Sequence, residues 1–347
     1  MADRVVDRVA PRKSGGYVSF DTMKAEADLT YETQGVSDRY STGIPSLDKY
    51  FSGGYGRKNL YELVLISSAP KQLKTTLAMR LLLEPLKTGV PMYWMLAEMS
   101  YGETMNMIRA FFYPHIEEAD RIVKEAIENG TLKIACKETL EDIKSVDELL
   151  TEIKLAHANG AELFYADPLN YLTKRAGRGQ RKDSWDVESE FIDKMKGYLE
   201  QEKLTALFVV HNAKAFSAHH EDGMAGSADF PRIATKTIET RIEGRFTYTE
   251  KEGGPELSGQ ILSVELWAAR GIEAWRNAPY LLKVVSNPGH KGLRLEELTG
   301  DDYDNPTICG LNPNAPDAKH RSLWYEQAAL FEAASRSSKS NSRGTYE

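Results

Sequence analysis

This sequence predicts an α/β fold with a mainly parallel central sheet flanked by helices and antiparallel strands added at one edge. Three observations predict it. Apolar, strand-like runs alternate with helical stretches through the middle of the chain, the intervening helices are long enough for crossovers, and the alternation gives way to consecutive strand-like runs after residue 240. A helix between two strands returns the chain to the same end of the sheet, so those strands lie parallel with right-handed connections.

Taken in order, "LYELVLIS" (60–67) is the first core strand and precedes the helix "KTTLAMRLLLEPLK". "VPMYWMLAE" (90–98) is followed by the helical "GETMNMIRAFF", and "LKIAC" (132–136) by "VDELLTEIKLAHANG". "AELFYAD" (161–167) leads through a basic loop to the helix "SWDVESEFIDKMKGYLEQEK", after which comes "LTALFVVH" (204–211). Their continuous apolar character suits strands covered on both faces. "RFTYTE", "GQILSVELWAAR" and "PYLLKVV" are the strands expected to pair antiparallel at the edge. The expected organisation is an arm over 1–40, one α/β domain over 41–300, an extension over 301–334 and a disordered tail over 335–347. The tail "SRSSKSNSRGTYE" has almost no apolar residue to anchor it.

The chain has 347 residues, 41% of them hydrophobic, enough to bury one large core. Its net charge of −7 advertises no nucleic-acid partner, so any such surface must come from local clustering. Two cysteines, Cys136 and Cys309, are too few for a disulfide framework, which points to a reducing compartment. "MADRVVDRVAPRK" lacks the apolar run of a signal peptide, and no window approaches the ~18 apolar residues of a membrane span. A cytoplasmic protein is expected.

"SSAPKQLKTT" (67–76) carries the first sign of chemistry. A phosphate-binding loop reads Gly, four residues, Gly-Lys-Ser/Thr, between a strand and a helix. Here Ser68 stands at the first glycine and Leu73 at the second, with Lys74 and Thr75 following. Residues Ser68, Ala69, Pro70, Lys71, Gln72 and Leu73 would supply backbone N–H groups, Lys74 a positive charge, Thr75 a hydroxyl for Mg²⁺, and Thr76 the start of the helix. Leu73 is the serious departure if its position requires positive φ. An ordinary strand–loop–helix with an exposed lysine is the competing interpretation.

Three further groups fall at the same sheet edge. Asp167 ends "LFYAD", where a carboxylate beside a phosphate loop suits Mg²⁺. Glu98 follows the next strand, where it could orient or deprotonate water, and "LFVVH" delivers His211. Ligands of open α/β sheets bind outside the carboxyl ends of the strands. Each residue alone is commonplace, and their convergence is the argument.

In this order the segments resemble the RecA-type motor core, specifically the DnaB-like replicative helicases, including phage helicase-primases and the mitochondrial helicase Twinkle. The resemblance runs from Ser41 to Leu295. "TGIPSLDKYFSGGYG" resembles the family's entry segment, "LAEMS" the segment carrying the catalytic glutamate (Glu98), and "ADPLNYL" the acidic motif with Asp167 and then Asn170. "VVHNAK" resembles the segment whose histidine senses the γ-phosphate (His211), "AGSADFPRIAT" a G-S segment, and "LWAARGIEAWR" the arginine-finger segment, best matched by Arg270, with Arg276 as substitute. Leu73 and Ala268 depart from the pattern, and "AGSADFPRIAT" lacks its usual aspartate. UvsX-like phage recombinases of the same superfamily also carry a large residue at the Leu73 position.

The resemblance implies an ATP- and Mg²⁺-dependent, ring-forming, hexameric DNA helicase, with a separate primase or loader as partner because no primase-like region precedes the core. It also places the loop after the Mg²⁺-binding strand in a DNA channel. "TKRAGRGQRK" (173–182) offers Lys174, Arg175, Arg178, Arg181 and Lys182 there, between flexible glycines, and Lys214 begins the second channel loop. A solvated surface loop is the alternative. Adjacent His219 and His220 with two distant cysteines do not have zinc spacing. Two rival functions share much of this: a strand-exchange recombinase forming filaments on DNA, and a nucleotide-binding scaffold whose degenerate loop no longer turns over.

Overall fold

The chain is described here by a computed structural model covering residues 24, 39–177, 184–211, 233–248, 257–269, 280–286 and 292–298. The described core opens with β1 (Arg39–Tyr40), helix α1 (Pro45–Tyr50) and β2 (Gly56–Arg57), which pairs antiparallel with β1. Arg39 and Tyr40, the end of the expected arm, are thus paired and buried. Gly54, at φ 145°, lies so close to the Tyr40 carbonyl that a side chain there would collide with it. The central elements follow: β3 (Glu62–Ser68), α2 (Lys74–Lys87), β4 (Met92–Leu96), α3 (Tyr101–Phe112), α4 (Ile116–Glu128), β5 (Leu132–Cys136), α5 (Val146–Ala158), β6 (Leu163–Asp167), α6 (Leu169–Ala176), α7 (Ser184–Glu202) and β7 (Thr205–His211). The last four strands are β8 (Lys236–Tyr248), β9 (Leu257–Ala269), β10 (Tyr280–Ser286) and β11 (Leu293–Glu297).

Among the described residues, nine strands make one sheet in the order β11-β10-β9-β8-β3-β7-β6-β4-β5. Strands β3 to β7 all pair in parallel. Alternate side chains of each strand enter opposite cores. Val64, Ile66, Trp94, Tyr165 and Val209 pack with Leu77 and Leu81 of α2 and Ile108 of α3. Leu63, Leu65, Met95, Phe164 and Phe208 pack with Leu149 and Ile153 of α5, Leu172 of α6 and Phe191 of α7. Burial on both faces is why these strands read as unbroken apolar runs. Helix starts are equally local. Ser100 and Glu103 form a reciprocal capping box on α3, and Ser145 caps α5 by accepting from the Glu148 N–H.

Two expectations are corrected. The basic stretch 173–182 is not a loop throughout, because Lys174 and Arg175 belong to α6. Leu169, Leu172 and Ala176 line one face of that helix against the core, and Gly177 caps its end, so apolar periodicity outweighs the basic composition. Arg175 is 9% exposed, donates to the Lys137 carbonyl at 3.3 Å and lies 4.7 Å from the Tyr171 ring centre. It is a packing residue and not an extended phosphate contact.

The second correction concerns β8. It begins at Lys236, pairs in parallel with β3 through Val64–Ser67, and only then continues antiparallel to β9. Buried Lys236 anchors this start, lying 3.7 Å from Glu62 and donating to the Gly54 and Tyr55 carbonyls. The antiparallel group is therefore built directly onto the central strand, and it includes β11, which the sequence reading did not anticipate. Residues 301–347 lie outside the described residues.

Candidate functional site

Because β3, β7, β6 and β4 are neighbours in that order and run in parallel, their carboxyl ends form one rim. Ser68 is in register with His211, and Leu96, two residues before Glu98, with Asp167. The rim therefore reads, in order, the loop 69–73, His211, Asp167 and Glu98. A hydrogen bond of 2.9 Å from the Ala97 N–H to the Asp167 carbonyl ties the Glu98 segment to β6. The structure thus brings together the four groups that the sequence singled out.

The loop keeps its turn without either glycine. Leu73, directly before α2, has φ 58° and ψ 25°, and Lys71 has φ 64°. Both are left-handed conformations, costing roughly 1–2 kcal/mol each for a residue with a Cβ. The position of Leu73 does require positive φ, and the chain meets that requirement with strain. Lys74 is 5% exposed and donates to the loop carbonyls of Ser68 at 2.9 Å and Ala69 at 2.8 Å. Its third N–H has no protein acceptor among the described residues. Burial lowers its pKa to about 8, against the opposing pull of Asp167 and Glu98.

Asp167 is 5% exposed; it accepts from the Tyr165 hydroxyl at 2.7 Å and is hydrogen-bonded by Thr75. Burial raises its pKa, while those hydrogen bonds and His211 oppose the rise. His211 is half-buried, and burial followed by the Lys74 charge lowers its pKa, leaving a neutral imidazole at pH 7. Glu98 is exposed. Lys74, Asp167, His211 and Glu98 thus feel one another electrostatically across a single cleft edge.

For Mg²⁺, the oxygen donors at this rim are the Thr75 hydroxyl and the Asp167 carboxylate, already in contact. Hard oxygen ligands, one carboxylate and room for substrate phosphates are the set that ion takes, so the residues fit it. No group of three or more His, Cys, Asp or Glu able to hold a metal by itself occurs among the described residues.

Other expected residues fall elsewhere. Lys174 is exposed on α6 and Arg175 is buried. Arg178, Arg181, Lys182, Lys214, Arg270 and Arg276 lie outside the described residues. Sequence reasoning missed several supporting groups. Tyr165 holds Asp167. Asn170 accepts from the His211 backbone N–H at 2.7 Å and donates to Glu188 at 3.2 Å. Glu188, 6% exposed on α7, has its pKa pushed up to about 7 by burial. In "SWDVESEFI" it looks like any solvated helix acid. Thr240 and the Gln72 side chain also escaped, because their contact spans the distance from residue 72 to residue 240.

The sheet order and the rim define a RecA-like α/β fold. Solved structures of similar fold agree. A KaiC-like protein from the hyperthermophilic archaeon Pyrococcus horikoshii superposes with a TM-score of 0.51 at 16% identity, covering 74% of this chain and 97% of that one. The ATPase domain of a DnaB-like phage helicase superposes with a TM-score of 0.56 at 12% identity, covering 82% of this chain and all of that one (100%). Comparison with protein-family models gives no match, and comparison with curated proteins gives none either. Among the described residues, no helix is long and apolar enough to cross a membrane.

Proposed function

We propose that this chain is a Mg²⁺-dependent ATP hydrolase that works as a ring-forming, DnaB-like helicase motor on single-stranded DNA. The observation that carries the reading is the rim, where a left-handed phosphate loop, a buried lysine, a buried aspartate, an exposed glutamate and a neutral histidine meet. Likeness to the phage helicase ATPase domain supports the nucleotide-hydrolysing part. The motif order supports the helicase part.

In this mechanism the loop N–H groups and Lys74 hold the β- and γ-phosphates, with the free N–H of Lys74 directed at them. Thr75 and Asp167 would hold Mg²⁺, which when bound neutralises phosphate charge. Tyr165 keeps Asp167 oriented. Glu98, exposed and unencumbered, orients the attacking water and takes its proton. His211 can hydrogen-bond through either ring nitrogen. Its backbone is fixed by Asn170, so a change at the γ-phosphate is passed to the chain beyond residue 211. Arg270 would reach the ATP of a neighbouring subunit and couple turnover to movement. The basic residues Lys174, Arg178, Arg181, Lys182 and Lys214 are the proposed DNA contacts. A separate primase or loader would complete the replication role.

A second reading, a recombinase of the UvsX type, is favoured by Leu73, which takes the left-handed conformation that such large residues must share. Electron microscopy with Mg-ATP and single-stranded DNA, run beside strand displacement on a forked duplex, tests the proposal. Closed rings with ATP-dependent displacement are expected. Filaments on DNA without displacement would instead establish the recombinase, and nucleotide binding with neither assembly nor turnover would leave a scaffold.

A further inference from the structure

The phosphate loop is held by a contact that its motif does not contain. β3 stops at Ser68, while β8, its parallel neighbour, runs on to Tyr248. Beyond Glu239, the last β8 residue in register with β3, the polar backbone of β8 on that side has no strand to pair with. The loop fills the gap. Gln72 Oε1 accepts from the Ile242 N–H at 2.6 Å, and the Gln72 carbonyl accepts from Thr240 Oγ1 at 2.8 Å. The same Thr240 hydroxyl lies 3.1 Å from Ser68 Oγ at the other end of the loop. Thr240 is 1% exposed, so this contact is shielded from water. A β-bulge follows at once, between Ile242 and Gly244.

Gln72 immediately precedes the strained Leu73. In a trans peptide the carbonyl and the following N–H point in opposite directions. Pinning the Gln72 carbonyl to Thr240 therefore aims the Leu73 N–H away from β8 and fixes the peptide from which the left-handed φ of Leu73 departs. We propose that Gln72 and Thr240 form a strut from β8 to the phosphate loop, positioning its N–H groups for nucleotide phosphates in a loop that lacks its final glycine. Both are positioning residues. The inference rests on the reading of this loop as a nucleotide site. It adds that the antiparallel half of the sheet sets the affinity of that site.

The test is equilibrium titration of the purified full chain with a fluorescent, slowly hydrolysed ATP analogue and Mg²⁺. Gln72→Ala and Thr240→Val each raise Kd about fivefold, the equivalent of one hydrogen bond. Thr240→Ser keeps the hydroxyl and stays within about twofold of the parent. The discriminating variant is Leu73→Gly, which removes the need for restraint. Gln72→Ala combined with Leu73→Gly returns to within about twofold of Leu73→Gly alone, a coupling that general loss of structure would not produce. If Gln72→Ala fails to fold, the Thr240→Val and Thr240→Ser pair decides. Unchanged Kd in Gln72→Ala and Thr240→Val, or no rescue by Leu73→Gly, overturns the strut while leaving the nucleotide site standing. Absence of binding by the parent chain overturns both.

Discussion

Lys74 holds its charge where water is largely removed, and its environment makes that charge sensitive to pH. Burial lowers the free-state pKa to about 8, whereas a bound phosphate favours the ammonium and must raise it. Affinity for Mg-ATP is therefore full below pH 8 and falls as pH rises through about 8, because binding must then recruit a proton. Nucleotide titration between pH 7 and pH 9.5 should show this break, approaching tenfold per pH unit above it. The Lys74→Ala variant, with no ammonium to lose, should bind weakly without the break. At this scale the sequence was informative where chemistry is local. Lys74, Thr75, Asp167, Glu98 and His211 could be singled out because each sits at a strand end. Glu188, Thr240 and the Gln72 side chain could not, since their roles arise from contacts between distant parts of the chain.

Among elements, the parallel strands were the most legible. β3, β4, β5, β6 and β7 are short apolar runs bounded by polar turns, and burial on both faces leaves that composition no other explanation. α6 was missed because five of the ten residues in 173–182 are basic, which hid the apolar stripe of Leu169, Leu172 and Ala176. β8 was split at residue 240 because one strand serves two neighbours of opposite direction, a distinction that alternation within a single segment does not carry. The α6 correction changes what the basic stretch can do. Replacing Arg178, Arg181 and Lys182 with Ala should flatten the slope of log K against log[salt] for single-stranded DNA by about 2, at about 0.7 per lost contact. Arg175→Ala should leave that slope unchanged and lower the unfolding temperature, since it removes a buried packing contact. Salt-dependent binding and thermal melts separate the two outcomes.

For the whole molecule, the sheet order places the ATP-site candidates on one edge of the parallel half and attaches the antiparallel half through β8, next to the loop. That arrangement suits a motor, because strands leading toward a neighbouring subunit start beside the phosphates. The central claim is that this rim hydrolyses ATP. The measurement that tests it most directly is steady-state ATP hydrolysis with Mg²⁺ and single-stranded DNA by the parent chain, Lys74→Ala and Glu98→Gln. Turnover by the parent, a loss on the order of 100-fold or more in both variants, and retained nucleotide binding in Glu98→Gln are predicted. Turnover that survives unchanged in both variants, or its absence from the parent, would contradict the account.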